Sequence, residues 1–240
     1  MIRAAALAAI LLFSPAAFAD QTAVYKSKDG SQMTLEIADS GLVHVTGMAP
    51  GGSGIVRDGE FFLIFHHKGA VRVIRSTDWA AVMEKTIGAR MRQIRERLGK
   101  SEAEPSPAPV IKHMGTARVA GFSGERYIVD RSDELGEDEL EWVATRDPKF
   151  ARVGAAWEKL MRSMRTVRSS LQGTAAANKQ DMEIQLFALG TPLRTARYEL
   201  VSMKAGKIDP ARFVLPADPI SRAQLLEEMT NPRIPHISIQ

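Results

Sequence analysis

Apolar and polar residues alternate with a period of two through the first third of the chain, and the period then lengthens to three or four. Met33, Leu35 and Ile37 interleave with Gln32, Thr34 and Glu36, which predicts a strand with one buried and one wet face. Lys28-Asp29-Gly30 before it predicts a hairpin turn, because Asp and Gly tolerate positive φ. Val43 and Val45 flank His44 in the next strand, and Ala49-Pro50-Gly51-Gly52-Ser53-Gly54 interrupts the sheet. The unbroken apolar run Phe61 to Phe65 predicts a central strand covered on both faces, and Val71 to Ile74 completes a meander.

Beyond Ser76 the spacing is helical. Trp79, Met83, Ile87, Met91, Ile94 and Leu98 form one stripe of a helix with Ser76, Thr77 or Asp78 as N-cap, ending at Gly99. Pro105, Pro107 and Pro109 make residues 100–110 a proline-rich surface loop. Ala117 to Ala120, Glu125 to Asp130 and Leu140 to Ala144 then read as strands, the last two joined by an acidic turn. Asp147-Pro148 starts a second helix with Val153, Trp157, Leu160, Met164, Val167 and Leu171 as its buried stripe, closed by Gly173. Met182, Ile184 and Leu186 alternate as a strand, Leu193 to Ala205 reads as one long extended segment, and Phe213 to Pro216 ends the sheet. Ile220 to Met229 reads as a short terminal helix within a tail over residues 217–240. Neighbouring strands interrupted by two helices predict an α+β fold: a curved antiparallel sheet, an incomplete half-barrel, with two amphipathic helices packed on its concave face.

The first residues change the picture of where this fold works. Arg3, the apolar run Ala4 to Phe13 and the small-x-small Ala17-Phe18-Ala19 make residues 1–19 a cleavable leader, so a single exported domain is expected over 20–240, in the periplasm. There is no cysteine. That excludes disulfides, a thiol nucleophile, covalent haem and a lipid-modified cysteine anchor. The mild formal charge of +4, with no Arg/Lys stripe interleaved with aromatics, argues against nucleic acid and leaves anionic lipid or acidic envelope proteins as counterparts.

Candidate chemistry is sparse. His66-His67 on a strand point to opposite faces, and His44, His113 and His236 have no partner at ligand spacing, so no metal is expected. The acidic stretch Asp130, Asp133, Glu134, Glu137, Asp138, Glu139 and Glu141 lacks the EF-hand spacing and reads as a solvated hairpin tip. Met161 and Met164 on one helix, with Met83 and Met91 on the other, sit in register with core residues and read as packing. Arg162, Arg165 and Arg168 recur every three residues and are candidates for a lipid headgroup or a partner, as are Arg90, Arg92, Arg95 and Arg97. No nucleophile elbow, zincin helix, phosphate loop or dinucleotide fingerprint is present, so no catalytic residue and no cofactor is nominated.

Gly124-Glu125-Arg126-Tyr127, Glu141-Trp142-Val143-Ala144, Pro192-Leu193-Arg194 with Glu199 and Ser202, and the closing run Ile208 to Asp218 resemble an uncharacterised family of exported bacterial domains. That family is similar to the carrier fold of LolA, the periplasmic lipoprotein chaperone. The resemblance implies an incomplete barrel whose cavity, between sheet and helices, receives acyl chains. On this reading the chain is a non-catalytic binding protein for an apolar, lipid or lipidated ligand, with peripheral membrane contact, and Phe62, Ile64, Trp79, Met83, Trp142, Trp157 and Met164 are the residues expected in the sheet-helix layer. The alternatives are a periplasmic interaction or structural module working through its Arg-rich helices or acidic hairpin, and an enzyme with an unrecognised site.

Overall fold

Alternation in the first part of the chain folds as six short strands: β1 (Gln21–Ser27), β2 (Gln32–Ile37), β3 (Val43–Thr46), β4 (Ser53–Arg57), β5 (Glu60–His67) and β6 (Ala70–Arg75). Five more follow: β7 (Val110–Val119), β8 (Phe122–Asp130), β9 (Glu139–Thr145), β10 (Thr191–Arg194) and β11 (Tyr198–Ala205). The helices are α1 (Ser76–Met83), α2 (Ala151–Gln172) and α3 (Arg222–Thr230). The computed structural model describes residues 19–231 except 49–50, 68, 89, 91–92, 95–96, 98–109, 131–138 and 173–183; the side chains of residues 67, 139 and 166–172 are also outside the described set.

All the strands join one antiparallel sheet of eleven, in the order β6-β5-β4-β3-β2-β1-β11-β10-β9-β8-β7. It consists of two meanders fused where β1 pairs with β11, so the first and last strands of the chain lie at its centre. The sheet does not close, yet β7 returns to within 8 Å of β11 across the strands between them, so that end curls strongly. β6 and β7 are the two edges.

One face carries the helices. Ala23, Tyr25, Leu35, Val45, Val56, Phe61 and Leu200 on that face pack with Val153, Trp157 and Leu160 of α2 in the main core. α2 lies over β1, β2, β4, β5 and β10 and touches α1, while α1 rests on β5 and β6. The coarse expectation of an α+β molecule with an open antiparallel sheet holds.

The opposite face is also covered in two places. Residues after β11 run back across it: the 3₁₀ turn Pro210–Phe213 places Arg212 on Glu36 of β2 at 2.8 Å, and Leu215 packs on Ile55, Phe62, Ile64 and Val73. The Ile220 amide then donates to the Val73 carbonyl of β6 at 2.9 Å, before α3 returns to the helix face with Leu225 against Trp79 and Met83. This strap occupies part of an edge that would otherwise offer free backbone groups. At the other end of the sheet, Leu186, Phe187 and Leu189 cover Val129, Leu140 and Trp142. Coverage of both faces explains why Phe61 to Phe65 is continuously apolar although β5 lies next to an edge, and why His44 is buried between Val43 and Val45.

Several boundaries differ from the sequence reading. α1 begins at Ser76 with no side-chain cap of its own; instead Glu60 of β5 accepts from Ser76 Oγ at 2.6 Å and from the Thr77 amide at 3.1 Å. The helix turns into a π-helical segment at Glu84–Gly88, which shifts the stripe, so Ile87 and Ile94 are exposed while Trp79 and Met83 are buried. Met91, Leu98 and most of the proline-rich loop lie outside the described residues. β7 starts at Val110, well before Ala117. Ile184 to Leu186 is helical rather than extended, because Leu186 is turned onto Trp142 as a cover while Ile184 packs against the main core. Leu193 to Ala205 is a hairpin broken at Thr195, whose hydroxyl accepts from the Tyr198 amide at 3.0 Å. Phe213 to Pro216 belongs to the strap and not to the sheet.

Candidate ligand-binding site

Two hairpin turns meet at one end of the sheet. The β1–β2 turn is set by Gly30 at φ +90° and by the Asp29 carboxylate, which accepts from the Ser31 amide at 2.8 Å. The β10–β11 turn is set by Thr195. Because β1 and β11 pair, with Ser27 opposite Tyr198 and Lys26 opposite Glu199, the turns lie side by side, and the Lys28 amide donates to the Arg197 carbonyl at 3.3 Å. Between them is an open cleft of about 260 Å³ lined by Lys26, Ser27, Lys28, Arg194, Thr195, Arg197, Tyr198, Glu199 and Val201.

The rim of this cleft is cationic and its wall is apolar. Arg194 is neutralised: its Nε donates to Glu199 at 2.7 Å and its Nη1 to Glu141 at 3.3 Å, and the Glu199 contact holds the guanidinium above its ordinary pKa. Glu141 also accepts from Arg126 at 2.7 Å; burial works against its charge, but the two arginines hold its carboxyl below the usual range. Among the described residues no carboxylate pairs with Lys26, Lys28 or Arg197, so three cationic residues of the lining are without an ion-pair partner there. Val201 is 47% exposed, and Tyr198 is among the residues that line the cleft.

Tyr198 connects this surface to the interior. Its ring lies 5.9 Å from that of Trp157 on α2, which in turn meets Tyr25 edge-on at 5.2 Å. Tyr25 is fully buried, and its hydroxyl donates to the Pro192 carbonyl at 2.9 Å. Burial pushes the Tyr25 phenol well above its ordinary pKa, opposed in part by the Trp157 indole, so it stays neutral. The indole Nε1 of Trp157 is buried and, among the described residues, makes no hydrogen bond of ordinary geometry. A second cleft, of about 320 Å³, lies at the start of α2 between Thr145, Arg146, Asp147, Gly154, Glu158 and Thr191.

The residues nominated from sequence are distributed over separate clusters. Trp157 and Met164 belong to the main core on the helix face. Trp79 and Met83 form a second helix-face cluster with Ile74 and Leu225. Phe62, Ile64 and Trp142 are on the opposite face, the first two under the strap and the third beneath Leu186 and Phe187. The physical reason is register: Phe61 and Leu63 are the β5 residues that point to the helix face, and Val143 is the one from β9. None of the nominated residues lines either cleft. Of the arginines, Arg162 is bound to Glu158 one turn earlier at 2.7 Å, Arg165 also makes a polar contact, and the Arg168 side chain lies outside the described residues.

The remaining sequence candidates are dispersed as well. His66 is exposed opposite Val71, the side chain of His67 is outside the described set, His44 bonds Glu36 at 2.6 Å, His113 pairs with Glu125, and His236 is not described. No group of three or more His, Asp or Glu side chains among the described residues is placed to hold a metal ion. Sequence reasoning missed Lys26, Lys28, Arg197 and Tyr198, because only the β1–β11 pairing brings these distant segments together. The alternating Thr195-Ala196-Arg197-Tyr198 run carries no motif that signals it. No family model matches the chain, and no curated protein and no solved structure matches it either. Fold and site therefore define this protein only as an open antiparallel sheet with helices over one face and an amphipathic cleft at one end.

Proposed function

We propose that this is an exported, periplasmic, non-catalytic binding protein for an amphiphilic ligand: a lipid or the acyl-bearing part of a lipidated envelope protein. The observation that carries the proposal is the position of Tyr198, a residue that lines a solvent-open cleft and whose ring is a neighbour of the buried Trp157. An acyl chain entering beside Val201 would meet aromatic surface continuous with the core, where apolar burial is worth about 0.8 kcal/mol per methylene. The open sheet and its two-faced covering by a strap and short helices suit a molecule that admits a ligand between elements. No helix among the described residues is long and apolar enough to cross a membrane.

Titration of the purified protein with a medium-chain fatty acid, followed by tryptophan fluorescence, tests this reading. Trp157 lies one ring from the cleft, so a saturable change in its emission is expected, weakened about tenfold by Tyr198→Ala, equivalent to about 1.4 kcal/mol. A Trp157→Phe variant should lose most of the signal while competing for the ligand as well as the wild type. No saturable binding, or binding indifferent to Tyr198→Ala, would contradict the reading.

A further inference from the structure

We infer that the cleft between the β1–β2 and β10–β11 turns is an anion site that recognises a phosphate group, presented on an amphiphile's headgroup or free in solution. The inference deepens the proposed function and rests on it for the amphiphile, but the charge arrangement stands independently. Four cations line the cleft against a single carboxylate, Glu199, and that carboxylate is already engaged by Arg194. Lys26 and Lys28 from the end of β1 and its turn, and Arg197 from the β10–β11 turn far along the chain, line the same 260 Å³ space. Clustering like charges costs free energy through mutual repulsion unless an anion relieves it, and no described carboxylate does so here. The nearby Asp29 is occupied by the Ser31 amide and hydroxyl, which hold its carboxyl below the usual range.

The chemistry favours phosphate over a lone carboxylate. A phosphodiester or monoester offers several strong acceptor oxygens, and the cleft provides two ammonium groups, which act as rotatable point charges, together with a guanidinium whose planar fork matches paired phosphate oxygens. Thr195 also lines this space, with its hydroxyl already accepting from the Tyr198 amide at 3.0 Å. Arg194 is the fixed element: held by Glu199 and Glu141, it sets the cleft's inner edge and contributes little net charge. Tyr198 and Val201 line the same cleft, and the Tyr198 ring lies 5.9 Å from that of Trp157, so a phosphate held there leaves its attached chain beside apolar side chains.

The test compares the wild type with a variant carrying Lys26→Gln, Lys28→Gln and Arg197→Gln, and with Arg162→Gln, an exposed arginine on α2 outside the cleft, as control. Binding to phosphatidylglycerol vesicles and to phosphatidylcholine vesicles is measured by flotation, and binding of inorganic phosphate by calorimetry. Each lost charge should weaken anionic-vesicle binding about fivefold, so the triple variant should bind about 100-fold more weakly, while Arg162→Gln stays near the wild type. Vesicle binding that needs phosphatidylglycerol and the three cations assigns the site to a lipid headgroup; phosphate binding in solution that needs the same cations assigns it to free phosphate. Neither kind of binding, equal binding to phosphatidylcholine, or full binding by the triple variant overturns the inference. Should the triple variant fail to fold by circular dichroism, Lys28→Gln alone, on an exposed turn, should still show the fivefold loss. The fatty-acid titration separates the two claims: the triple variant should still take up fatty acid if only the anion site is lost, and a wild type that binds phosphate but no fatty acid contradicts the proposed function alone.

Discussion

Asp20, the residue expected to begin the mature chain, ties the start of β1 to two distant loops. Its Oδ1 accepts from the Asp39 amide and its Oδ2 from the Ile208 amide, each at 2.8 Å, while its carbonyl accepts from Gly206 at 2.9 Å. Those amide bonds hold its carboxyl below the ordinary range. A carboxylate whose native pKa is lowered stabilises the fold fully above its unfolded value, about 3.9, and the contribution fades as pH falls through the lowered native value. Asp20→Asn should therefore melt below the wild type at neutral pH, and the difference should shrink as pH drops beneath about 4. Thermal melts from neutral to strongly acid pH check this; a gap that stays constant would mean the charge plays no part. At this scale the sequence was informative about chemistry that is missing and poor at placing side chains. Burial of Trp79, Met83 and Trp157 was legible from helical spacing, whereas the face on which Phe62, Ile64 and Trp142 sit depends on covers supplied by residues far away in the chain.

Among the elements, the terminal strap does most to complete the fold for its length. It bonds Glu36 through Arg212, covers Ile64 through Leu215, occupies the β6 edge through Ile220 and anchors α3 through Leu225. Arg222 adds a contact to Asp78 of α1 at 2.9 Å, and Arg72 of β6 pairs with Glu228. Leu225 has no exposed surface, so Leu225→Ala should cost about 2–5 kcal/mol in chemical denaturation, whereas the half-exposed Arg222→Ala should cost under about 1 kcal/mol. Equal effects would show that α3 is held by charge and not by burial. β2, β3, β5 and β6 of the first meander were legible from their apolar patterns and the terminal helix from its apolar spacing, whereas β1 and β4, the latter starting inside the Gly-rich segment, were not. The turn at Thr195 and the helical cover at Leu186 were not, since each is decided by tertiary packing that overrides a short alternating pattern. β8 ends and β9 begins at the same end of the sheet as the cationic cleft, and the acidic segment 131–138 between them lies outside the described residues.

For the molecule as a whole, the meander pattern foretold an open antiparallel sheet, but not its fusion through β1 and β11, which places the first and last strands at the centre and creates the cleft. The helix layer over β1, β2, β4 and β5 is a packed core, with Tyr25 and Trp157 in edge-on contact, so the ligand reading rests on the end of the sheet and not on a hollow beneath α2. That reading is most directly tested by purifying the protein under gentle conditions, extracting it with organic solvent and analysing the extract by mass spectrometry. The account predicts acyl-bearing species, enriched in phosphate-containing headgroups, at a reproducible ratio to protein and depleted when Tyr198 is replaced by Ala. An extract free of acyl species, or one unchanged by Tyr198→Ala, would contradict it.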